Sequence, residues 1–334
     1  MKYNRRIDSL KRVSNIQKVR DSKIRMHAGE RVYSFSDCFL DRFKQTISSE
    51  SFTEYPNLFV LKEKLAIKHG VSIDNIFISA GSDYSLAALF YTFVEEGTHV
   101  LMPEARFPMY DVYLSQVGGG LLEIPYKKER ETLKLDVFSV QAACSEVRLI
   151  VVGNPNSPVG DVLSIEDFEH LEKYGCPIVI DQAYAEYGCT NLPISCIDKN
   201  YVFVNTFSKA FGAAGIRVGY TIASKEIISK LDSFRMMFEV STISAKFAEY
   251  LLDNELVMKE YVESINAEKH LLENFGVSVL GGNWVHLPER YAEALKDYTF
   301  KAGCKLPHTL GNFIKIGIFP GLHQILEKSS VHTP

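Results

Sequence analysis

Four short apolar runs constrain this chain more than any other feature: HVLMPEARF (99–107), VRLIVVGNPNSPVG (147–160), CPIVIDQAYAEY (176–187) and YVFVNTFSKAF (201–211). Each is rich in Val, Ile, Leu or Phe, and each breaks into polar or glycine-bearing residues. Runs of this kind suit strands covered on both faces, as in a largely parallel sheet flanked by helices. Helical segments lie between several of them. LFVLKEKLAIKHG places Leu58, Leu61 and Leu65 at helical spacing and stops at Gly70, a residue suited to a C-cap. IFISAGSDYSLAALFYTFVEEG passes from a short β-rich stretch through Gly81, Ser82 and Asp83 into a mostly apolar helix ending near Gly97. The distinctive polar residues fall just after the apolar runs, where open α/β sheets place ligands.

The sequence carries no repeat, low-complexity tract or long linker, so the order of elements sets the domains. Residues 45–235 predict a large ligand-bearing domain with a mostly parallel sheet. KEIISKLDSFRMMF and a charged helical stretch at 244–274 lead on to two strands, in GVSVLGGNWVHL and NFIKIGIF. Residues 236–334 with 1–44 therefore predict a smaller α+β domain. Lys and Arg number 37 against 41 Asp and Glu, which leaves no basic field for nucleic acid or anionic membrane. The charged amino terminus lacks the apolar core of a secretory signal, and no apolar stretch reaches membrane-spanning length, so a cytoplasmic protein is expected. Six scattered cysteines without a CxxC pair suit reduced thiols, and the nine dispersed histidines form no HExxH or HxxxH, which predicts no metal.

Individually, the polar motifs have ordinary explanations: a lysine in a strand-to-helix turn is usually solvated, and an aspartate closing a strand usually caps a helix. Their order carries the information: an anion cradle in AGSD, an aromatic cluster in RFPMY, a tight turn in NPNSPVG, an acid and a phenol in DQAY, then TFSK and GIR. This series resembles the fold-type I pyridoxal-phosphate enzymes, and most closely the histidinol-phosphate aminotransferase branch of the aspartate aminotransferase superfamily. The resemblance covers nearly the whole chain and is strongest between Tyr55 and Arg217.

The resemblance implies pyridoxal 5′-phosphate as cofactor and assigns residues to it. Lys209 would take the cofactor aldehyde and shuttle the substrate Cα proton, a role that needs a neutral amine. Asp181 would keep the pyridine nitrogen protonated, and Tyr184 would hydrogen-bond the ring hydroxyl. Phe107 would stack on the ring, with Tyr110 close behind as a substrate contact. Gly81, Ser82 and Asp83 at a helix start, Thr206, Ser208 and Arg217 would hold the phosphate dianion. Tyr55, in EYPN, would reach the phosphate of a neighbouring subunit, which implies a homodimer.

Three departures from the family pattern bear on substrate. Where relatives carry Asn-Pro-Thr-Gly this chain reads SPVG, so Ser157, or Asn156 before it, would meet the ring hydroxyl. Near the amino terminus only HAGER aligns with the usual Asn-Glu pair, which gives Glu30 as a substrate contact. Lys315 in FIKIGIF stands where relatives place the arginine that clamps the substrate carboxylate. The leading expectation is an aminotransferase that passes an amino group from a donor such as glutamate to a small keto substrate, phosphorylated or not. A decarboxylase of a phosphorylated amino acid is the alternative, and a cofactor-binding regulatory module, disfavoured by the charge balance, is the third.

Overall fold

The structure, a computed structural model, describes residues 23–129, 132–140, 146–188, 192, 194–273, 281–308 and 312–330. Seven strands form one sheet: β1 (Ile76–Ser79), β2 (His99–Pro103), β3 (Gly120–Ile124), β4 (Val147–Gly153), β5 (Ile178–Asp181), β6 (Tyr201–Thr206) and β7 (Gly219–Ile222). Their order is β1-β7-β6-β5-β4-β2-β3. β7 runs antiparallel to both β1 and β6, and the other pairings in the sheet are parallel.

The apolar runs read as they do because alternate residues enter two different cores. In β4, Ile150 and Val152 face one core while Leu149 and Val151 face the other; in β6, Tyr201 and Phe203 oppose Val202 and Val204. The helices Ser82–Phe93, Met109–Val117 and Lys225–Phe234 cover one face with Leu86, Leu89, Leu114, Ile227 and Leu231. The helices Phe59–His69, Ile165–Glu172 and Thr242–Asp253 supply the other core with Leu61, Leu65, Phe168 and Leu251. Burying each such side chain stabilises the fold by about 1.5–3 kcal/mol before entropy is counted.

A second sheet of three antiparallel strands joins β8 (Trp284–Pro288), β10 (Phe313–Gly317) and β9 (Lys301–Cys304), with β10 in the middle. Val285, Leu287, Ile314 and Ile316 point into the core shared with the large sheet. The alternate set, Trp284, His286 and Lys315, therefore faces the other way, toward the loop that follows β4. Ile24–Arg25 pairs in parallel with Tyr298–Thr299, and Gly317 N–H donates to the Met26 carbonyl at 2.7 Å, which draws residues 26–31 over the same region.

Several sequence expectations change in detail. The helix after Gly81 ends at Phe93, with Val94 as C-cap, so Gly97 belongs to the turn beyond it. The 244–274 stretch is two helices, Thr242–Asp253 and Leu256–Glu273. β3 and β7 add strands that the apolar runs did not announce, β3 because it is a half-exposed edge and β7 because its residues, GYTI, alternate small or polar with apolar and make no apolar run. Residues 1–22 and 276–280 lie outside the described residues. Phe203 is fully buried in the central strand β6, so Phe203→Ala should cost about 3–5 kcal/mol, read as a lower urea midpoint at unchanged m-value.

Candidate active site

One cavity opens at the carboxyl ends of β5 and β6 and at the amino end of the helix that follows β1. That helix starts at Ser82, and its N-cap, Gly81, has φ +80° and no side-chain cap. A Cβ at Gly81 would lie 2.5 Å from Arg217 Nη2, and one at Gly219 would lie 2.3 Å from the Ser82 nitrogen. Glycine at both places lets β7 and the arginine close on the helix start. Arg217, itself left-handed at φ +53°, places Nη1 3.4 Å from Ser208 Oγ and Nη2 3.6 Å from Asp83 Oδ2. Thr206 Oγ1 donates to Ser208 Oγ at 3.0 Å and accepts from the Ser208 N–H at 3.1 Å. Hydroxyls, a guanidinium and a helix amino terminus make a cup for a compact dianion.

Asp181 closes β5, where the Tyr110 hydroxyl donates to Oδ2 at 2.9 Å and the Ala183 N–H to Oδ1 at 3.0 Å. Burial raises its pKa, and the bond from Tyr110 works against that rise. Lys209 Nζ lies 5.4 Å from the Tyr184 ring centre and donates to the Ala28 carbonyl. Tyr184 packs edge-on against Trp284, with ring centres 4.5 Å apart, and Phe107 packs edge-on against Tyr110 at 5.7 Å. The cavity thus has an anion cup, a buried acid, an amine and aromatic walls.

Ser82, Asp83, Phe107, Tyr110, Ser157, Asp181, Tyr184, Thr206, Ser208, Lys209 and Arg217 all line this cavity. Gly81 sits behind it against Arg217. Tyr110, expected as a substrate contact, lines the cavity with its ring largely buried and its hydroxyl donating to Asp181. Asn156 is turned away, its amide donating to the Ala105 carbonyl at 2.7 Å and to Tyr126 Oη at 2.5 Å, so it shapes the loop while Ser157 lines the cavity. Glu30 lies off the cavity lining, with Oε2 3.4 Å from Arg25 Nε. Tyr55 is 78% exposed, stacks on Phe238 at 4.3 Å and does not line this chain's cavity. Lys315 stands one layer back, donating to Ser157 Oγ at 2.8 Å with its ammonium 4.0 Å from the Trp284 ring centre. Sequence reasoning missed the Ala28 carbonyl and Trp284; the latter is the chain's single tryptophan and could have drawn notice for that.

The sequence profile of the family described as aminotransferase class I and II matches residues 21–289. The chain belongs to this aminotransferase family. Histidinol-phosphate aminotransferase 2 of Carboxydothermus hydrogenoformans is 30% identical over 257 residues, 74% of this chain and 70% of that protein. The crystal structure of histidinol-phosphate aminotransferase from Sinorhizobium meliloti in complex with pyridoxal-5′-phosphate superposes with a TM-score of 0.79 at 24% identity, covering 98% of this chain and 95% of that one. L-threonine-O-3-phosphate decarboxylase from Porphyromonas gingivalis superposes with 0.75 at 16% identity, covering 92% and 98%. The fold alone therefore does not separate amino transfer from decarboxylation.

In this aminotransferase the residues present fit pyridoxal phosphate on their own chemistry. The cup that glycines 81 and 219 keep open has donors for a phosphate, and the buried Asp181 carboxyl gains from a cationic ring nitrogen placed against it. Lys315 carries a separate cost. Burial first, then Lys301 and Lys209, pull its pKa from 10.5 down to about 7. Between those values the unfolded chain binds more protons, so the folded state gains stability as pH rises and bears the full penalty below 7. Lys315→Met should therefore raise Tm most below pH 7, with the gain over the parent fading toward pH 10.5, as thermal melts across that range would show.

Proposed function

We propose that this protein uses pyridoxal 5′-phosphate to move an amino group from an amino acid, glutamate being the first donor to try, to a small phosphorylated keto compound. The observation that carries this reading is the joint placement of Lys209 and Asp181 in one cavity whose end is the Arg217–Ser208 cup. When bound, the cofactor supplies a ring that accepts the electron pair left on a substrate carbon. Ser82, Thr206, Ser208, Arg217 and the helix amino terminus would hold its phosphate, and Phe107 would lie against its ring. Asp181, oriented by Tyr110 and the Ala183 N–H, would keep the ring nitrogen protonated. Tyr184 and Ser157 would serve the ring hydroxyl. The Lys209 amine would hold the aldehyde carbon, water leaving as that bond forms, and once freed by the substrate amine would move the proton at the substrate Cα.

The phosphorylated substrate is supported by the relatives named for histidinol phosphate and by Lys315, which offers a point charge where the family's arginine would offer a carboxylate fork. The same lysine favours decarboxylation as the second reading, because a loosely clamped carboxylate can be the group that leaves. We further propose a homodimer in which Tyr55 reaches the partner's cofactor phosphate. Phe52, Tyr55, Met236 and Met237 are all more than half exposed, an apolar patch of the kind that interfaces cover. Residues 45–235 would be the cofactor-bearing domain, with 1–44 and 236–334 the smaller one. A reducing, cytoplasmic setting agrees with Cys38, Cys196 and Cys304 carrying thiols; no helix among the described residues is long and apolar enough to cross a membrane.

Two variants divide these roles. Arg217→Gln should weaken cofactor affinity on the order of 10- to 100-fold, the loss of a charge-assisted contact to phosphate, as measured by fluorescence titration. Lys209→Ala should keep the cup and its phosphate affinity yet lose at least about 10³-fold in turnover, followed as 2-oxoglutarate release from glutamate. Unimpaired turnover in Lys209→Ala would contradict the reading.

A further inference from the structure

Lys315, on the central strand of the small sheet, and Ser157, in the loop after β4 of the large one, meet at the cavity wall across 158 positions of sequence. The lysine is buried, donates to Ser157 Oγ at 2.8 Å and holds its ammonium 4.0 Å from the centre of the Trp284 ring. Among the described residues no carboxylate forms an ion pair with it; the groups that face it are Lys301 and Cys304 on β9, His286 on β8 and Lys209 from the loop after β6. Both neighbours of Ser157 are pinned. The Asn156 amide donates to the Ala105 carbonyl at 2.7 Å, and Trp284 Nε1 donates to the Pro158 carbonyl at 2.8 Å. Trp284 also packs edge-on against Tyr184. Lys315 and Trp284 thus back one wall of the cavity, with Ser157 and Tyr184 at its surface.

A serine hydroxyl has one proton to give and two lone pairs with which to accept. The ammonium occupies one lone pair, which leaves the O–H to donate toward the cavity, and a charged donor on the oxygen strengthens that donation. Burial, then Lys301 and Lys209, disfavour the charge on Lys315. An anionic oxygen on the far side of Ser157 would favour it again, since charges in a low-dielectric wall are poorly screened. We infer that Lys315 is a positioning residue for the cofactor: it acts through Ser157 and fixes that hydroxyl as a donor to the ring oxygen, beside the Tyr184 hydroxyl. The inference rests on the aminotransferase reading for the presence of the cofactor, and it gives Lys315 a task that needs no substrate. Two of the positions at which the chain departs from the family pattern would thus work as one.

The test is a pH titration of the visible band of the cofactor-loaded protein in the absence of substrate. The nitrogen that joins Lys209 to the cofactor would share its proton with the ring oxygen. A donor on that oxygen, and a cation behind the donor, make the proton leave at lower pH. Lys315→Met and Ser157→Ala should therefore each raise the midpoint by about one pH unit, the scale of a hydrogen bond to a charged oxygen. Ser157→Thr keeps the hydroxyl and should show about a third of that shift or less. The double variant should shift no further than Ser157→Ala alone, because the lysine acts through the serine. Cooperative thermal melts of the loaded variants separate these results from misfolding. An unchanged midpoint in Lys315→Met would overturn the inference, and shifts that add in the double variant would overturn the route through Ser157. Lost affinity for acetate without a shift of the midpoint would mean that the lysine acts on the substrate alone. A parent that acquires no visible band contradicts the aminotransferase reading itself, and the inference with it.

Discussion

A carboxylate taken out of water at the end of a parallel strand persists only if donors are brought to it, and around Asp181 the rest of the site is arranged to do so. Tyr110 and the Ala183 N–H supply two hydrogen bonds, each worth about 1.5–3 kcal/mol to a charged acceptor. Burial of an ion costs several kcal/mol, and the pKa of Asp181 stays raised, so the two bonds offset only part of that cost. A cationic ring nitrogen placed against it would close the remaining gap. The helix bearing Tyr110, the turn bearing Ala183 and the strand bearing Asp181 must hold their relative positions for this to work, which ties the site to the double core on either side of the sheet.

Much of this was legible in the sequence because a parallel sheet writes itself plainly. Strands buried on both faces show as unbroken apolar runs, and Asp181, Lys209 and Ser157 follow those runs directly, so each could be placed at a strand's carboxyl end. The cup was legible as well, since Gly81, Ser82 and Arg217 sit in short motifs whose residue types suit an anion. The bond from the Tyr110 hydroxyl to Asp181 was not legible, because sequence spacing does not show depth. Asn156 and Ser157 are adjacent in a turn, where one of two neighbours must point away, and only the turn geometry shows that it is Asn156. The Ala28 carbonyl, Trp284 and Lys301 were not legible because long-range strand pairing, rather than local pattern, brings them in.

The small sheet gives the cavity its individual character. One face is a plain apolar core of Val285, Leu287, Ile314 and Ile316, and the other replaces the expected arginine with Lys315 beside Lys301 and His286. That second face packs on the loop after β4 through Trp284 and Lys315. The contact between Lys315 and Ser157 links the two sheets at the point where substrate and cofactor would meet.

The measurement that bears most directly on this account is the visible absorption of the purified, cofactor-loaded protein during stoichiometric addition of glutamate and then of single phosphorylated amines, with carbon dioxide followed in parallel. The account predicts loss of the yellow band with appearance of the pyridoxamine spectrum, one equivalent of keto product and no gas. Gas release with the yellow band restored would contradict amino transfer, and a protein that acquires no visible band at all would contradict the assignment of Lys209 and Asp181 to a cofactor site.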